Sequence, residues 1–390
     1  DVFTNIIRLR IISLTIINSN KLRRFFMFKI KKQLSKLYVT SILGNLSLTG
    51  AWVAILASRG YSLVEIGIAE TVFHIVSLVF EIPSGVLADV FGRKKMLVVS
   101  TIMGMISDIV MILSGSLFTV CLSIAFRALS YNFSSGSGDA LAYDSLKQVK
   151  LESRFERYQS NQFIIYRLCS GISTLCAGFA LTIGHRIAYG TSLITSTIQI
   201  IILLSLHEIS IESATKNIGD KIGRRLIACF KESLAFLKEM RKCMGLMLCN
   251  SFVGAIDILL LFFLQAKLPE SGISKWWLGI VLLFMEMGGI VGSRLILKVP
   301  KIKYKWIFTI SLLLVLIGLL TEHSGICWIM ALGGFIAAVG DDALQVRTNA
   351  ILQDMFPSEQ RATLTSIESF SFSVIMIVLS PLAGFFFTFW

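Results

Sequence analysis

Eleven long apolar stretches divide this sequence, and most of the charged residues lie in the short segments between them. About 30 Å of hydrocarbon requires roughly 20 apolar residues in a helix, and most of these stretches are close to that length or above it. Unbroken apolar runs of this kind are typical of membrane-spanning helices, so we predict an all-α integral membrane protein. The predicted spans are Leu37–Ser58, Val64–Leu87, Met96–Leu113, Leu117–Leu146, Asn161–Ile183, Ala188–Leu206, Met244–Leu264, Trp277–Leu297, Ile307–Leu320, Ile326–Leu352 and Ala362–Trp390.

The composition agrees with lipid as the solvent of this chain. Of its 390 residues, 55% are hydrophobic and 16% are charged, whereas about a quarter of a soluble domain is charged. The seven cysteines form no CxxC or CxxH pair, so we predict buried thiols and neither a disulfide nor a metal site. The sequence contains no P-loop, HExxH or Ser-His-Asp arrangement, and we expect neither an ATP-driven pump nor an enzyme.

Basic residues are concentrated in alternate loops. One set of loops contains the lysines before Leu37, the segments Arg93–Lys95, Lys147–Arg157, Lys216–Lys242 and Lys298–Lys305, and Arg361. The opposite set contains only Arg59, Arg186, Lys267 and Lys275. Because loops rich in lysine and arginine remain in the cytoplasm, we predict a multi-pass protein of the cell membrane with a cytoplasmic N-terminus. The net charge of +13 then reflects topology, and we expect no nucleic-acid partner.

The longest loop divides the spans into six and five. We predict a cytoplasmic segment over 1–35, a six-helix bundle over 36–206, a cytoplasmic loop with an amphipathic helix over 207–242, and a five-helix bundle over 243–390. Two equal halves need a twelfth helix, which we expect to be missing. Residue 1 is Asp and Met27 precedes the first lysine cluster, so we expect Met27 to be the biological start and 1–26 to be upstream translation.

The two halves contain a short internal repeat. Asp139-Ala140-Leu141 in the fourth span returns as Asp342-Ala343-Leu344 in the tenth, 203 residues later. The first and seventh predicted spans begin about 207 residues apart, so the repeat falls at equivalent places in the two halves. This register is typical of parallel repeats related by an axis along the membrane normal.

The loop between the second and third spans, Gly85-Val-Leu-Ala-Asp-Val-Phe-Gly-Arg-Lys-Lys95, resembles the signature loop of the major facilitator superfamily. Only Val90 departs from that pattern, at a position where a basic residue is common. We expect Gly85 and Gly92 to allow close backbone approach in a tight turn. Asp89 is suited to the positive end of a neighbouring helix, and Arg93 to a bridge with a carboxylate.

Two further segments, Ser137–Leu146 and Arg361–Ser366, are similar to a bacterial branch of twelve-helix exporters that resemble drug–proton antiporters. The resemblance implies two pseudo-symmetric six-helix bundles and a transporter that works by alternating access. It also implies that Asp89, Arg93 and Asp144 form a cytoplasmic charge cluster that locks the outward-facing state against span eleven. The chain departs from those antiporters in span five, which has Gly171 and Gly178 but no proline.

Ionisable residues inside the spans are candidates for function because charge is costly in lipid. Asp108 and Arg127 lie at similar predicted depths, so we predict that they are partners, either as a static pair or as a coupling pair. Asp139, beside several small residues in span four, is our first candidate to carry a proton. Hydrogen bonding between helices is the alternative role for Asp139 and for the further candidates, which are Asp257, Glu286, Asp342 and Glu368.

Two other polar residues leave their roles open. Arg167 in span five is suited either to an anionic group or to a pair with Asp139. We interpret His74 in span two as a packing residue rather than a proton relay.

These features favour proton-coupled efflux of a small amphipathic compound by a monomer in the lipid bilayer, with the proton gradient as the driving force and no cofactor. We expect a cavity of mostly Ser, Phe and Met. A cavity rich in Asn, Gln and charge would instead favour proton-coupled uptake of a polar metabolite. A truncated, non-transporting membrane protein is the third hypothesis.

Overall fold

The computed structural model describes residues 29–208, 241–355 and 361–389, and all regular elements in these ranges are helices. The predicted start at Met27, the amphipathic helix predicted before residue 241 and the terminal Trp390 lie outside the described residues. Three short 3-10 turns join some of the helices, at Glu152–Arg154, Ile296–Lys298 and Glu322–Ser324. The α-helices are α1 (29–45), α2 (Trp52–Ser58), α3 (Leu63–Phe91), α4 (Arg93–Leu113), α5 (Leu117–Ser134), α6 (Ser137–Lys147), α7 (Phe155–Leu175), α8 (Ala177–Ile183), α9 (His185–Leu204), α10 (Arg241–Glu270), α11 (Lys275–Leu295), α12 (Tyr304–Thr321), α13 (Cys327–Met355) and α14 (Arg361–Phe389).

The predicted spans all lie on these helices, but three of them are broken. Among the described residues, nine helical stretches are long and apolar enough to cross a membrane, and the pair α7–α8, bent by 50°, makes ten. The predicted first span falls on α1 and α2. Between these helices, Ser47 Oγ accepts a hydrogen bond from the backbone N–H of Thr49 at 2.9 Å, and this local bond competes with helix formation. The fourth span breaks between α5 and α6, where Gly136 adopts a φ of +68°.

Local interactions fix the ends of several helices. Ser62 and Glu65 form a reciprocal capping box that starts α3. Lys36 and Lys94 donate from their Nζ atoms to the carbonyl oxygens of Ser205 (2.7 Å) and Leu204 (2.8 Å). Cations at this position stabilise the C-terminus of α9, which otherwise has unpaired carbonyl groups.

The helices form two groups that face each other. In the first, α4 packs against α5 and α9, and α3 packs against α5. In the second, α13 packs against α10, α11 and α12. The groups meet where α3 packs on α14, α8 on α11 and α2 on α10. We call the side with the loops at 91–95 and 296–305 the basic side, and the other the opposite side.

Close backbone contacts join the two groups toward the opposite side. Gly67 and Gly384 mark the contact of α3 with α14, Gly178 marks the contact of α8 with α11, and Gly279 of α11 faces the end of α7 at Leu175. A Cβ atom at any of these four glycines would collide with a backbone carbonyl of the facing helix. Small residues therefore allow the groups to pack tightly on the opposite side.

Replacing Gly178 by leucine is expected to separate the two groups on the opposite side, because the added side chain would overlap the backbone of Lys275 and Trp276. The measurement is the distance between spin labels at G115C and S324C, in a background without the native cysteines. We expect a longer distance in the Gly178→Leu variant. Gly190→Leu is the matched control, since a Cβ at Gly190 meets nothing within 4 Å. An equal distance in both variants would show that this contact does not close the opposite side.

Candidate functional site

A cavity of about 950 Å³ lies between the two groups of helices. A second cavity, of about 790 Å³, shares Gly44 and Gln199 with the lining of the first and extends to Leu37 on α1 and Gln159 on α7. These two residues lie near the basic side, so the combined space leads from the middle of the helices toward that side. Its size suits a small molecule.

Charged side chains line the larger cavity near the middle of the helices. A guanidinium among apolar helices is costly unless an anion or a polar cavity compensates it, and the same holds for a carboxylate. The lining contains six acidic and two basic residues, which are Glu70, Asp108, Asp257, Glu286, Asp341, Asp342, Arg127 and Arg167.

Asp108 and Arg127 form the ion pair that their depths predict. Arg127 Nη2 donates to Asp108 Oδ1 between α4 and α5. The side chain of Asp108 is 1% exposed, whereas that of Arg127 is 39% exposed toward the cavity. Asp108 Oδ2 is buried without a hydrogen-bond partner among the described residues. The pair therefore holds a buried carboxylate with one free oxygen in the cavity wall.

Asp257, Asp341 and Asp342 form an acidic cluster in the wall that the second group of helices provides. The three carboxylates interact electrostatically with one another. Asp341 lies against α10, with Oδ1 3.2 Å from the position of a Cβ at Gly254. The carboxylate of Asp342 occupies the space that a Cβ at Gly289 of α11 would fill. Two neighbouring aspartates thus reach two different helices.

Arg167 faces the acidic side of the cavity from α7. Its guanidinium carbon lies 5.2 Å from the ring centroid of Phe163, one turn earlier, which favours a cation–π contact. It interacts electrostatically with Glu286 and Asp342, but no described carboxylate lies within 4.0 Å of it. Of the two roles that the sequence left open, the pair with Asp139 is not formed in this structure.

Polar side chains join the two groups of helices at the cavity. His74 on α3 contacts Glu70 through Nε2 at 3.2 Å and Ser373 on α14 through Nδ1 at 3.4 Å. Thr174 on α7 donates to Glu286 on α11 at 3.0 Å. His74 is 5% exposed, so it is a buried hydrogen-bonded residue at the contact between the groups.

The lining is more polar than the sequence analysis predicted. The expected cavity of Ser, Phe and Met contains eight charged side chains in addition to its hydroxyl groups. Hydropathy along the chain could not reveal this, because single charges on different helices converge only after folding. The serines and threonines of the lining all lie within residues 47–196, at Ser47, Thr49, Ser100, Thr101, Ser107, Ser123, Ser130, Ser134, Ser170, Ser173, Thr174, Ser192, Thr195 and Ser196.

The remaining proton candidates lie apart from this cluster. Asp139 lines the smaller cavity in the first turn of α6. Glu368 on α14 accepts a hydrogen bond from Asn250 on α10 at 3.5 Å. The structure therefore separates Asp139 and Glu368 from the acidic cluster that contains Asp257 and Asp342.

The signature loop makes a charged contact at the basic side. Arg93 Nη1 lies 2.5 Å from Asp144 Oδ2, which joins the start of α4 to α6. The side chain of Asp89 is outside the described residues. Glu208 accepts from the backbone N–H groups of Lys94 and Lys95, both at 3.3 Å, and so supplies an anion at the N-terminus of α4.

The two glycines of the signature loop differ. Gly92 adopts a φ of +101°, which only glycine reaches readily, and a Cβ there would lie 2.7 Å from the carboxylate of Glu208. Gly85 lies inside α3, and a Cβ there would meet nothing within 4 Å. The expected close approach at Gly85 is therefore wrong for this structure, because the turn begins seven residues later.

Arg347 makes the equivalent contact in the second half. Arg347 lies 203 residues after Asp144, the same separation as between Asp139 and Asp342. Its guanidinium contacts the turn that follows α11. Its three hydrogen bonds go to the carbonyl oxygens of Pro300 (2.9 Å), Val299 (3.0 Å) and Ile296 (3.3 Å). In the first half Asp144 thus pairs with the side chain of Arg93, whereas in the second half Arg347 bonds to backbone carbonyl groups.

The sequence analysis missed four residues of these sites. Asp341 stood beside a named candidate and Glu70 one helical turn before His74, so spacing alone contained a signal for both. Arg347 could have been found by extending the 203-residue register to Asp144. Glu208 gave no signal, since its contact with α4 depends on the path of the chain after α9.

Comparison with known proteins agrees with this architecture. The family model described as Major Facilitator Superfamily matches residues 37–326. The chain belongs to the major facilitator superfamily. Members of this superfamily are secondary transporters, so the chain is a multi-pass membrane transporter and not an enzyme.

Similarity to individual members of the superfamily is distant. The chain is 25% identical over 234 residues to the "Uncharacterized MFS-type transporter YxaM" of Bacillus subtilis (strain 168). That match covers 59% of this chain and 56% of the relative, so it spans about half the length of either protein.

Solved structures support the fold over nearly the whole chain. The nucleoside transporter NupG has a TM-score of 0.65 at 16% identity, covering 90% of both chains. A bacterial homologue of the lysosomal transporter Spinster, crystallised inward-facing and unoccupied, has a TM-score of 0.65 at 15% identity and covers 92% of this chain and 81% of its own. At such identities these matches show the fold alone.

Proposed function

We propose that this protein is a proton-coupled transporter of a small polar solute that carries charge, working by alternating access. The observation that carries the proposal is the acidic cluster of Asp257, Asp341 and Asp342 in the wall of the central cavity. Ionised carboxylates in a medium of low dielectric repel one another, and binding of a proton or a cation relieves that repulsion. A proton bound there lies next to the space that holds the solute.

The contacts between the two groups of helices support alternating access. Glycine contacts close the opposite side, whereas the space at the basic side is open to α1 and α7. Because loops rich in arginine and lysine stay in the cytoplasm, this arrangement corresponds to an inward-facing state in the cell membrane. Rocking of the two halves about the central cavity would then expose the charged site to the other side.

Arg93 and Asp144 pair within the first half while the basic side is open. In our proposal this pair and Asp89 form a charge cluster that meets α14 when the basic side closes, and so favour the outward-facing state. The contact of Arg347 with the turn after α11 would stabilise the equivalent turn of the second half.

Efflux of an amphipathic compound in exchange for protons is the second candidate. It is favoured by the aromatic and methionine side chains that line the cavity beside its charged residues. The residues concerned are Trp52, Phe73, Phe262, Phe372 and Met376.

The test is transport by the purified protein in proteoliposomes that hold an imposed pH gradient. Vesicles are incubated with an extract of small metabolites, and their contents are compared by mass spectrometry with and without a protonophore. We expect polar, charged metabolites to accumulate only while the gradient lasts. A parallel sample contains ethidium and follows its fluorescence.

The two candidates predict different results in this experiment. Movement of ethidium alone would favour amphipathic efflux over the polar solute. If neither metabolites nor dye responded to the gradient, with protein of native circular dichroism in the vesicles, proton-coupled transport would be contradicted. Empty vesicles provide the control for leakage.

A further inference from the structure

Arg167 presents its guanidinium to the central cavity. It is exposed to the cavity, and it differs from Arg127, which already pairs with Asp108. No described carboxylate lies within 4.0 Å of Arg167, although Glu286 and Asp342 act on it from a greater distance. A guanidinium presents paired N–H donors that match the two oxygens of a carboxylate.

Neighbouring side chains restrict the positions of Arg167 and of the Glu286 carboxylate. Phe163 lies under the guanidinium at 5.2 Å and limits its movement. Glu286 is itself held by the hydroxyl group of Thr174, which orients its carboxylate. The open space therefore lies between a fixed cation on the first half and fixed carboxylates on the second half.

The rest of the cavity indicates what else the solute carries. The fourteen serine and threonine residues of the lining all belong to the same half as Arg167. Hydroxyl groups both donate and accept hydrogen bonds, so they match a solute that bears hydroxyl groups of its own. Several of them also bond within the protein, as Thr174 does to Glu286 and Ser123 to the carbonyl of Ser107, and a hydroxyl group in such a bond can still accept one from the solute.

From these observations we infer that Arg167 binds the carboxylate of a small hydroxylated organic acid, and that the acid and a proton are carried together. This inference rests on the proposed proton-coupled function. The carboxylates of Glu286 on α11 and Asp342 on α13 compete with the solute for Arg167. A proton on either carboxylate removes that competition, so the proton and the anion bind more tightly together than alone.

The other charged groups around Arg167 fit this coupling. Asp341 on α13 and Asp257 on α10 lie next to Asp342 and interact electrostatically with it. On α7 itself the neighbour is Tyr166. Among the charged residues that line this cavity, the only other cation is Arg127, which is paired with Asp108.

Three probes with the same six-carbon chain test the inference. Gluconate is the hydroxylated acid, sorbitol has the same chain without charge, and glucamine has an amine in place of the carboxylate. In the binding experiment, phenylglyoxal modifies arginine side chains of the detergent-solubilised protein, and mass spectrometry measures the adduct at Arg167. We expect gluconate to protect Arg167 and sorbitol and glucamine to leave it reactive.

In the transport experiment, proteoliposomes contain the pH-sensitive dye pyranine and the membrane potential is clamped. We expect an inward gluconate gradient to acidify the lumen, and the rate to fall at least about tenfold in Arg167→Gln, since a charge-assisted hydrogen bond is lost. Arg167→Lys should retain part of the rate. Arg294→Gln, at an exposed arginine of α11 outside the cavity lining, is the matched control and should keep the full rate.

Each contrary result has its own meaning. Acidification that is equal in Arg167→Gln would overturn the role of Arg167. Protection by gluconate without acidification would overturn the joint carriage of acid and proton. Alkalinisation driven by glucamine, with no effect of gluconate, would overturn the anionic class while proton-coupled transport stands. If none of the three probes protects Arg167 or moves protons, the hydroxylated-acid inference fails, and the metabolite experiment decides the proposed function separately.

Discussion

Replacing Arg127 by leucine is expected to lower the free energy of unfolding by about 3–5 kcal/mol, because the substitution leaves Asp108 buried without its cation. Asp108 is 1% exposed, and one of its oxygens already lacks a hydrogen-bond partner among the described residues. The measurement is unfolding of the detergent-solubilised protein in increasing SDS, followed by circular dichroism.

The double variant Asp108→Leu/Arg127→Leu separates the cost of the charge from the cost of lost packing. Removing both partners of a buried pair is often nearly neutral, so we expect it to regain most of the lost stability. Arg294→Leu, the same change at an exposed arginine, should have little effect. A double variant as unstable as Arg127→Leu alone would show that the buried charge is not the cause. Transport by a stable double variant would identify a static pair, and loss of transport would identify a coupling role.

The sequence predicted the spans and this pair because both depend on position along single helices. Hydrophobic length determines where a helix crosses lipid, and a rise of 1.5 Å per residue gave Asp108 and Arg127 similar depths. The breaks at residues 46–51 and at Gly136 were not predicted, since a serine or glycine in an apolar run is also compatible with a continuous helix.

The composition of the site was harder to predict, because it depends on which faces of different helices meet. Asp257 and Asp342 were candidates as isolated charges, but their grouping with Asp341 requires the packing of α10, α11 and α13. The sequence analysis ranked Asp139 first among the candidates to carry a proton. The structure places it in the smaller cavity instead, so its role stays a prediction that the next experiment tests.

Replacing Asp342 by asparagine is expected to abolish the dependence of transport on the pH gradient. Asparagine resembles a carboxyl group that cannot release its proton, and its amide fits the same space against Gly289. We expect gradient-driven accumulation of the polar solute found in the metabolite experiment to fall by about tenfold or more, within the range typical of coupling between two sites. Exchange of labelled for unlabelled solute should persist, since it requires only that the loaded site change sides.

Two further variants make this prediction specific. Glu270→Gln, at an exposed carboxylate near the opposite-side end of α10, should keep both accumulation and exchange. Asp139→Asn should keep accumulation if the acidic cluster carries the proton. Loss of accumulation in Asp139→Asn, with retention in Asp342→Asn, would instead identify Asp139 as the carrier and make the smaller cavity the coupling site. Loss of both accumulation and exchange in Asp342→Asn would indicate that Asp342 binds the solute rather than the proton, because exchange requires solute binding but no net proton movement.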